Sequence, residues 1–249
     1  MKANHVREGD VFPTNDGGKV IVLECLSSRE ITVEHQDSHL HWAVVRATNL
    51  REGKIKNPYH PVVFGVGYMG YGKHSGFVNG KPAPAYDSWA RMLKRCYDPA
   101  YHNKQPTYVG CSVADEWHNF QVYAEWYYGQ PNGQNPDFQL DKDLRIGGNK
   151  QYGPDACSFV PQQINILLAD HAASRGDLPQ GVVRKGNSFQ VRLSVNGKLT
   201  YLGIYPTPEQ AFAVYKTAKE ENVKTMAEEW KDWIHPEVYN YLMVWKVDE

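Results

Sequence analysis

The chain has no long apolar run: nothing approaches the roughly 20 residues that a membrane-spanning helix needs. Its first ten residues, MKANHVREGD, hold no apolar core of leader-peptide length. The expectation is a cytoplasmic protein with no membrane contact. Paired cysteines are missing too. Cys25, Cys96, Cys111 and Cys157 lie far apart and form no Cys-x-x-Cys. That argues against a disulfide framework and against a compact zinc knuckle, and predicts free thiols in a reducing compartment. Nor is there an excess of one charge. The net charge is −1 over 249 residues, so any affinity for nucleic acid must be regional. Internal repeats and low-complexity segments are also absent. What is present, 41% apolar and 22% charged residues, suits a globular protein of one large or two to three small domains.

The local patterns predict an α+β fold in several units. Residues 1–62 read as all-β, with GKVIVLEC, REITVEH and HLHWAVVRATNL as short β-branched runs, which predicts a small β-barrel-like domain or curled sheet. Residues 63–85 are rich in glycine and proline and read as a linker. In the next unit, 86–173, SWARMLKRCY places Trp89, Met92, Leu93 and Cys96 on one helical face, with Arg91, Lys94 and Arg95 turned outward. EWHNFQVYAEWYYG predicts a second helix through Trp117, Phe120, Val122, Tyr123 and Trp126. Strand FQLDKD, a GGN turn, strand SFVP and helix QQINILLADHAA follow. Residues 178–225 read as three strands, with Asn196-Gly197 as the hairpin signal, and one helix. Thr207 caps that helix, and Ala211, Val214, Tyr215 and Ala218 share its face. The tail, 226–249, is acidic and aromatic and predicts one or two short helices.

Several patterns carry chemistry on paper. GVGYMG matches a dinucleotide fingerprint, but that motif needs a helix opening at its third glycine, and YGKHSGFVNGK offers none. His39 and His41, flanked by His35 and Asp37, share a strand face and can reach a metal; ordinary solvated strand polarity explains them as well. His118 reads as a core or edge histidine, and Cys96, Cys111 and Cys157 as small buried apolar residues. In LDKD, Asp141 and Asp143 alternate along a strand and project to one side. Two hard oxygen ligands there can hold a divalent cation, or simply cap neighbouring loops. In 178–225, Phe189, Val191 and Leu193 point toward the helix. On the next strand Thr200, Leu202 and Ile204 share a side, opposite Leu199, Tyr201 and Gly203. The outward face then offers Gln190, Arg192 and Tyr201, with Arg184, Lys185 and Lys198 nearby and no acid on the strands. A β-face of that character fits the major groove of double-stranded DNA.

A resemblance sharpens this. GVVRKGNSFQVRLSVNGKLTYLGIYPTPEQAFAVYKTAK is similar to an Apetala/ethylene-response-factor DNA-binding domain, carried by Gly181-Val182, Phe189–Leu193, Tyr201-Leu202-Gly203, Thr207 and Glu209-Gln210-Ala211. SWARMLKRCY, YVGCSVADEWHNFQVYAEW, LDKD and CSFVPQQIN together resemble the HNH-type nucleases that phages join to such domains. The resemblance implies a ββα-metal unit with a Mg²⁺ site (Mn²⁺ as substitute) in which Asp141 and Asn165 match metal ligands. It also implies groove reading by Arg192 and Tyr201, and a host-cell cytoplasm for a phage-encoded chain. The family's histidine after the strand aspartate, which activates water, is replaced here by Lys142. A protonated lysine is a poor base.

The function expected is therefore DNA binding with phosphodiester hydrolysis as the chemistry of the centre. Asp141, Lys142 and Asp143 are the catalytic candidates, Asp143 or His171 the substitutes for the base, and Lys142, Arg145 and Lys150 the phosphate contacts. The alternatives are a DNA-binding or regulatory protein that no longer cuts, and a protein that binds a host factor through its acidic aromatic tail.

Overall fold

A computed structural model describes residues 5–169, 177–195 and 197–247. His171 and Asn196 lie outside them. The fold is α+β, as expected, built from small sheets. Strands β1 (Val11–Pro13), β2 (Lys19–Ser27), β3 (Glu30–His35) and β4 (Trp42–Val45) form an antiparallel meander, followed by helix α1 (Ala47–Arg51). Val20 and Val22 on β2 and Ile31 and Val33 on β3 bury one face against Ala47, Leu50 and Ile55. The expected barrel is not formed. Among the described residues β1 and β4 stay unpaired edges, so four short strands make an open sheet backed by α1.

The glycine-rich stretch is not a free linker. Tyr68 N–H donates to His118 O, and Phe120 N–H donates back to Tyr68 O, which ties the stretch to the following unit. Val63, Val66 and Met69 pack on that unit's core. Gly67 permits the approach, since a Cβ there would stand 2.4 Å from Leu93 Cδ1. A hairpin of β5 (Phe77–Val78) and β6 (Lys81–Pro82) leads into α2 (Pro84–Tyr97), α3 (Pro99–Lys104), β7 (Ser112–Val113) and α4 (Phe120–Gly129). On α2, Trp89, Met92, Leu93 and Cys96 are buried as their spacing predicts. Arg95 departs from expectation: it turns inward, its guanidinium 5.8 Å from the centre of the Tyr108 ring. The aromatic helix is also shorter than predicted. Asn119 takes an extended conformation and its side chain caps α4 by accepting from Gln121 N–H, so Asp115–His118 is a separate 3-10 turn. Phe120, Tyr123, Ala124 and Tyr127 face inward, while Val122 lies off that face and is exposed.

Strand β8 (Phe138–Asp141) pairs antiparallel with β10 (Ser158–Pro161), β9 (Gln151–Tyr152) lies parallel to β7, and α5 (Gln162–Leu168) follows β10 directly. This is a ββα arrangement. Phe138, Leu140, Cys157 and Phe159 face the core of α2 and α4. Val160 and Leu144 face a second core made with Ile164 and Leu167 of α5.

The C-terminal unit has strands β11 (Val182–Lys185), β12 (Ser188–Val195) and β13 (Lys198–Tyr205) in that order, then α6 (Pro208–Trp230) and α7 (Pro236–Val244). Thr207 caps α6 by accepting from Gln210 N–H. Val191, Leu193 and Phe189 pack on Ala211 and Tyr215. The tail differs from its prediction. The helix of 178–225 continues to Trp230, and Trp230, Tyr241 and Trp245 are half-buried against the core shared with α5. Most of the aromatic surface expected to be offered to a host protein is spent on folding.

His35 completes the inward alternation of β3 and is 2% exposed. Its Nε2 has no hydrogen-bond partner, and its ring stacks 5.9 Å from that of His41. Burial lowers its pKa below the usual histidine range, against the opposing pull of Asp37 and Asp16. The unfolded chain therefore takes up this proton first. Stability contributed by neutral His35 is full above about pH 6.5 and falls as pH drops toward the depressed folded value. Thermal unfolding between pH 7.5 and 5 should show that loss, and His35→Phe should flatten it; an unchanged slope in the variant would reject the assignment.

Candidate functional site

The ββα unit brings Asp141 and Asn165 to one side of the hairpin. Side chains alternate along β8, so Phe138 and Leu140 enter the core while Gln139 and Asp141 face the other way. Asn165, on α5, places its Nδ2 3.5 Å from Gln139 Oε1. Directly across the ladder from Asp141 is Ser158, whose buried Oγ has no hydrogen-bond partner. One carboxylate, two amide oxygens and a hydroxyl thus line this face. A single carboxylate with neutral oxygens fits Mg²⁺, which keeps waters and takes substrate phosphate oxygens as further ligands. Among the described residues no cluster of three or more His, Cys, Asp or Glu side chains is arranged for a metal.

The two aspartates are close, but for a reason other than strand alternation. The strand ends at Asp141, whose Oδ1 accepts from the backbone N–H groups of Asp143 (3.0 Å) and Leu144 (2.9 Å). The chain therefore turns at the aspartate that would bind the ion. Burial pushes the Asp141 pKa up to about 6, aided by the neighbouring Asp143 and opposed by the two backbone donors.

Lys142, the residue after the strand aspartate, is engaged in structural contacts. Its Nζ donates to Asp143 Oδ2 (2.9 Å) and to Asn149 O (3.0 Å), 6.0 Å from the centre of the Tyr152 ring. Its side chain is 12% exposed, and the Asp143 carboxylate outweighs burial to hold it protonated. It staples the glycine turn and, already protonated, takes up no further proton. Arg145, expected on a phosphate, is likewise engaged: Nε donates to Glu237 Oε2 at 2.7 Å, and Nη1 to Pro154 O and Cys157 O. Lys150 remains exposed. Among the described residues no histidine is hydrogen-bonded to Asp141, Asp143 or Asn165. Ser158 escaped the sequence reading because its partner strand, and hence its register against Asp141, is long-range.

On the C-terminal sheet a β-bulge sorts the side chains. Gln190 pairs with Ile204 and Val191 with Gly203, but Arg192 pairs with Tyr201, leaving Leu202 as the extra residue. The bulge shifts the phase of β13. Leu202 turns to the core and Ile204 to solvent, so Ile204 joins Tyr201 on the outward face. That face carries Lys185, Gln190, Arg192 and Tyr201. Arg192 Nη2 donates to Gln190 Oε1 at 3.0 Å, which covers Gln190 to 9% exposure while Arg192 stays exposed. Two expected residues are elsewhere. Arg184 pairs with Phe189 and lies 5.0 Å over its ring, on the helix side. Lys198 pairs with Val195 at the hairpin end, also in the inward phase.

Asp141 tests the electrostatic account. A carboxyl with a raised folded pKa contributes most below its unfolded value, and that contribution is lost as pH rises from about 4 to about 6. Asp141→Asn keeps the acceptor for both backbone donors. It should raise stability at pH 7.5 by up to about 3 kcal/mol, the equivalent of about two pKa units, with the gain vanishing near pH 4. A loss of stability at pH 7.5 would contradict the burial argument.

No family model matches this chain, and no curated protein and no solved structure matches it either.

Proposed function

We propose that this protein binds double-stranded DNA through the outward face of β11–β13, and that its ββα unit is a hydrolytic centre directed at the DNA backbone. The observation that carries the reading is the face itself. Its outward positions are Val183, Lys185, Ser188, Gln190, Arg192, Ser194, Leu199, Tyr201 and Ile204, with no acidic residue among them. Three strands at about 4.8 Å spacing span about 10 Å, which enters a major groove about 12 Å wide. The Arg192–Gln190 bond supports it further: an arginine held by a neighbouring amide is pre-oriented and still has donors for a guanine edge. Lys185 and Lys150 are the cations left for phosphates.

At the centre, Asp141 and Asn165 are the residues that would hold Mg²⁺, with Mn²⁺ as substitute, and the ion would supply charge stabilisation to the phosphodiester. The unpartnered Ser158 Oγ and the desolvated Asp141 carboxylate favour an added cation at this place. Asp143, anchored by Lys142, is the carboxylate that remains to orient water. Absence of a positioned general base lowers the rate by about 10²–10⁴-fold, so cutting should be slow. The stapled Lys142 favours a second reading, a binder that no longer cuts.

Supercoiled plasmid incubated with Mg²⁺ or Mn²⁺ separates the two. Nicking by wild type and not by Asp141→Ala supports the hydrolytic centre, while equal inactivity of both retires it and leaves the binder. For the face, Arg192→Ala should weaken duplex binding by about 1–3 kcal/mol at fixed salt and relax base choice. Unchanged affinity and selectivity would remove Arg192 from the interface.

A further inference from the structure

The middle of α6 holds a cation that neither the sheet face nor the ββα centre uses. Lys219 is 6% exposed. Its Nζ donates to Leu167 O, in the last turn of α5. Among the described residues no carboxylate pairs with it, and burial alone lowers its pKa. An ammonium has three donors, and a buried one ordinarily has a counter-charge. The Leu167 carbonyl occupies one donor. Three residues along, the buried Nδ2 of Asn222 has no hydrogen-bond partner. Residues three apart on a helix share a face. Lys219 and Asn222 both line a cavity of about 920 Å³ between α5, α6 and the edge of β12. Leu167, Leu193 and Met226 give that cavity an apolar wall. Its size falls in the range of small-molecule sites.

We propose that this cavity binds a small carboxylate with an apolar body, its oxygens accepting from Lys219 Nζ and Asn222 Nδ2 and its hydrocarbon part lying along Leu167, Leu193 and Met226. Capping of α5 alone would explain one Lys219 donor and leave the other two, and the Asn222 amide, without acceptors. Charge selects the class. One uncompensated buried cation matches one negative charge, whereas a phosphate monoester carries about −1.5 to −2 at neutral pH. The other charged residues of the lining, Arg192 and Glu229, are exposed and of opposite sign. The cavity shares Arg192 with the proposed DNA face, but the site rests on Lys219 and Asn222, which that face does not use, and its test does not involve DNA.

Decanoate is the probe, added to the full chain, with 1-decanol and adenosine monophosphate in parallel, read by titration calorimetry and thermal unfolding. The expected result is one decanoate per chain and a rise in Tm of about 5–10 °C at about 100 times Kd, with no saturable binding of decanol or the nucleotide. Lys219→Met and Asn222→Leu should each weaken decanoate binding about 10-fold or more. Lys219→Met without ligand should unfold at or above the wild-type temperature, because it removes an unpaired buried charge. Should that variant fail to fold, Asn222→Leu alone decides. No saturable decanoate binding, preference for the nucleotide, or wild-type affinity in the variants would each overturn the proposal.

Discussion

One helix, α6, packs one face along its length into two different cores. Its first turns place Ala211 and Tyr215 beneath the three-stranded sheet, and its last turns place Val223, Met226 and Ala227 against α5 and α7. The helix is 23 residues long, about 35 Å at 1.5 Å per residue. Packed at both ends, this helix links the three-stranded sheet to the ββα unit. Gly181 shows how tightly one end is fitted: it has φ +74°, and a Cβ there would stand 2.0 Å from Tyr215 Cδ2. Rotating the sheet on its helix would have to break that contact first. On the DNA reading, the distance along the duplex between the bases read and the phosphate addressed is then set by α6.

The charged residues of the ββα unit fall into two groups. Lys142 and Arg145 satisfy backbone carbonyls and one carboxylate each. Asn149 adds two more bonds to the same loop, from Nδ2 to Lys142 O and to Gln151 O. These groups make the loop rigid. Asp141 does the reverse. It is desolvated beside another carboxylate, an arrangement that costs stability at neutral pH. Perturbed carboxyls of this kind are concentrated where proteins bind ions or transfer protons. The contrast singles out Asp141 among the residues of LDKD more firmly than spacing does, and it removes Lys142 as a stand-in for a base.

What could be read from the letters was what depends on short-range pattern. The inward residues of α2, the strands β8 and β10, the cap at Thr207 and the burial of three cysteines follow from periodicity and local chemistry. The misjudged positions share two causes. One is a shift of phase: the bulge at Arg192 exchanged Leu202 for Ile204, because a single inserted residue changes the face of every later side chain on the strand. The other is distance along the chain. Arg145 meets Glu237 across 92 residues, and the tail aromatics meet α5 across a comparable span. No local window contains such partners, so Arg145 read as free for phosphate and the tail as free for a partner.

The composition of the sheet's outward face bears on whether solvent alone is its environment. A sheet face selected only for solubility alternates charged and polar side chains. Here Val183, Leu199, Tyr201 and Ile204 are each between 45% and 66% exposed, and they surround Arg192. Apolar and aromatic groups around a pre-oriented cation lose free energy in water and gain it against a partner that is both polar at its edges and partly apolar. The major groove is such a partner, offering guanine acceptors beside thymine methyl groups. The same mixture disfavours a purely electrostatic role, in which lysines and arginines would cover the face and the chain would carry a basic excess. It carries none. On the proposed DNA reading, affinity built this way would depend more on fit and less on counterion release, so its salt dependence should be shallower than that of a polycationic surface of equal area.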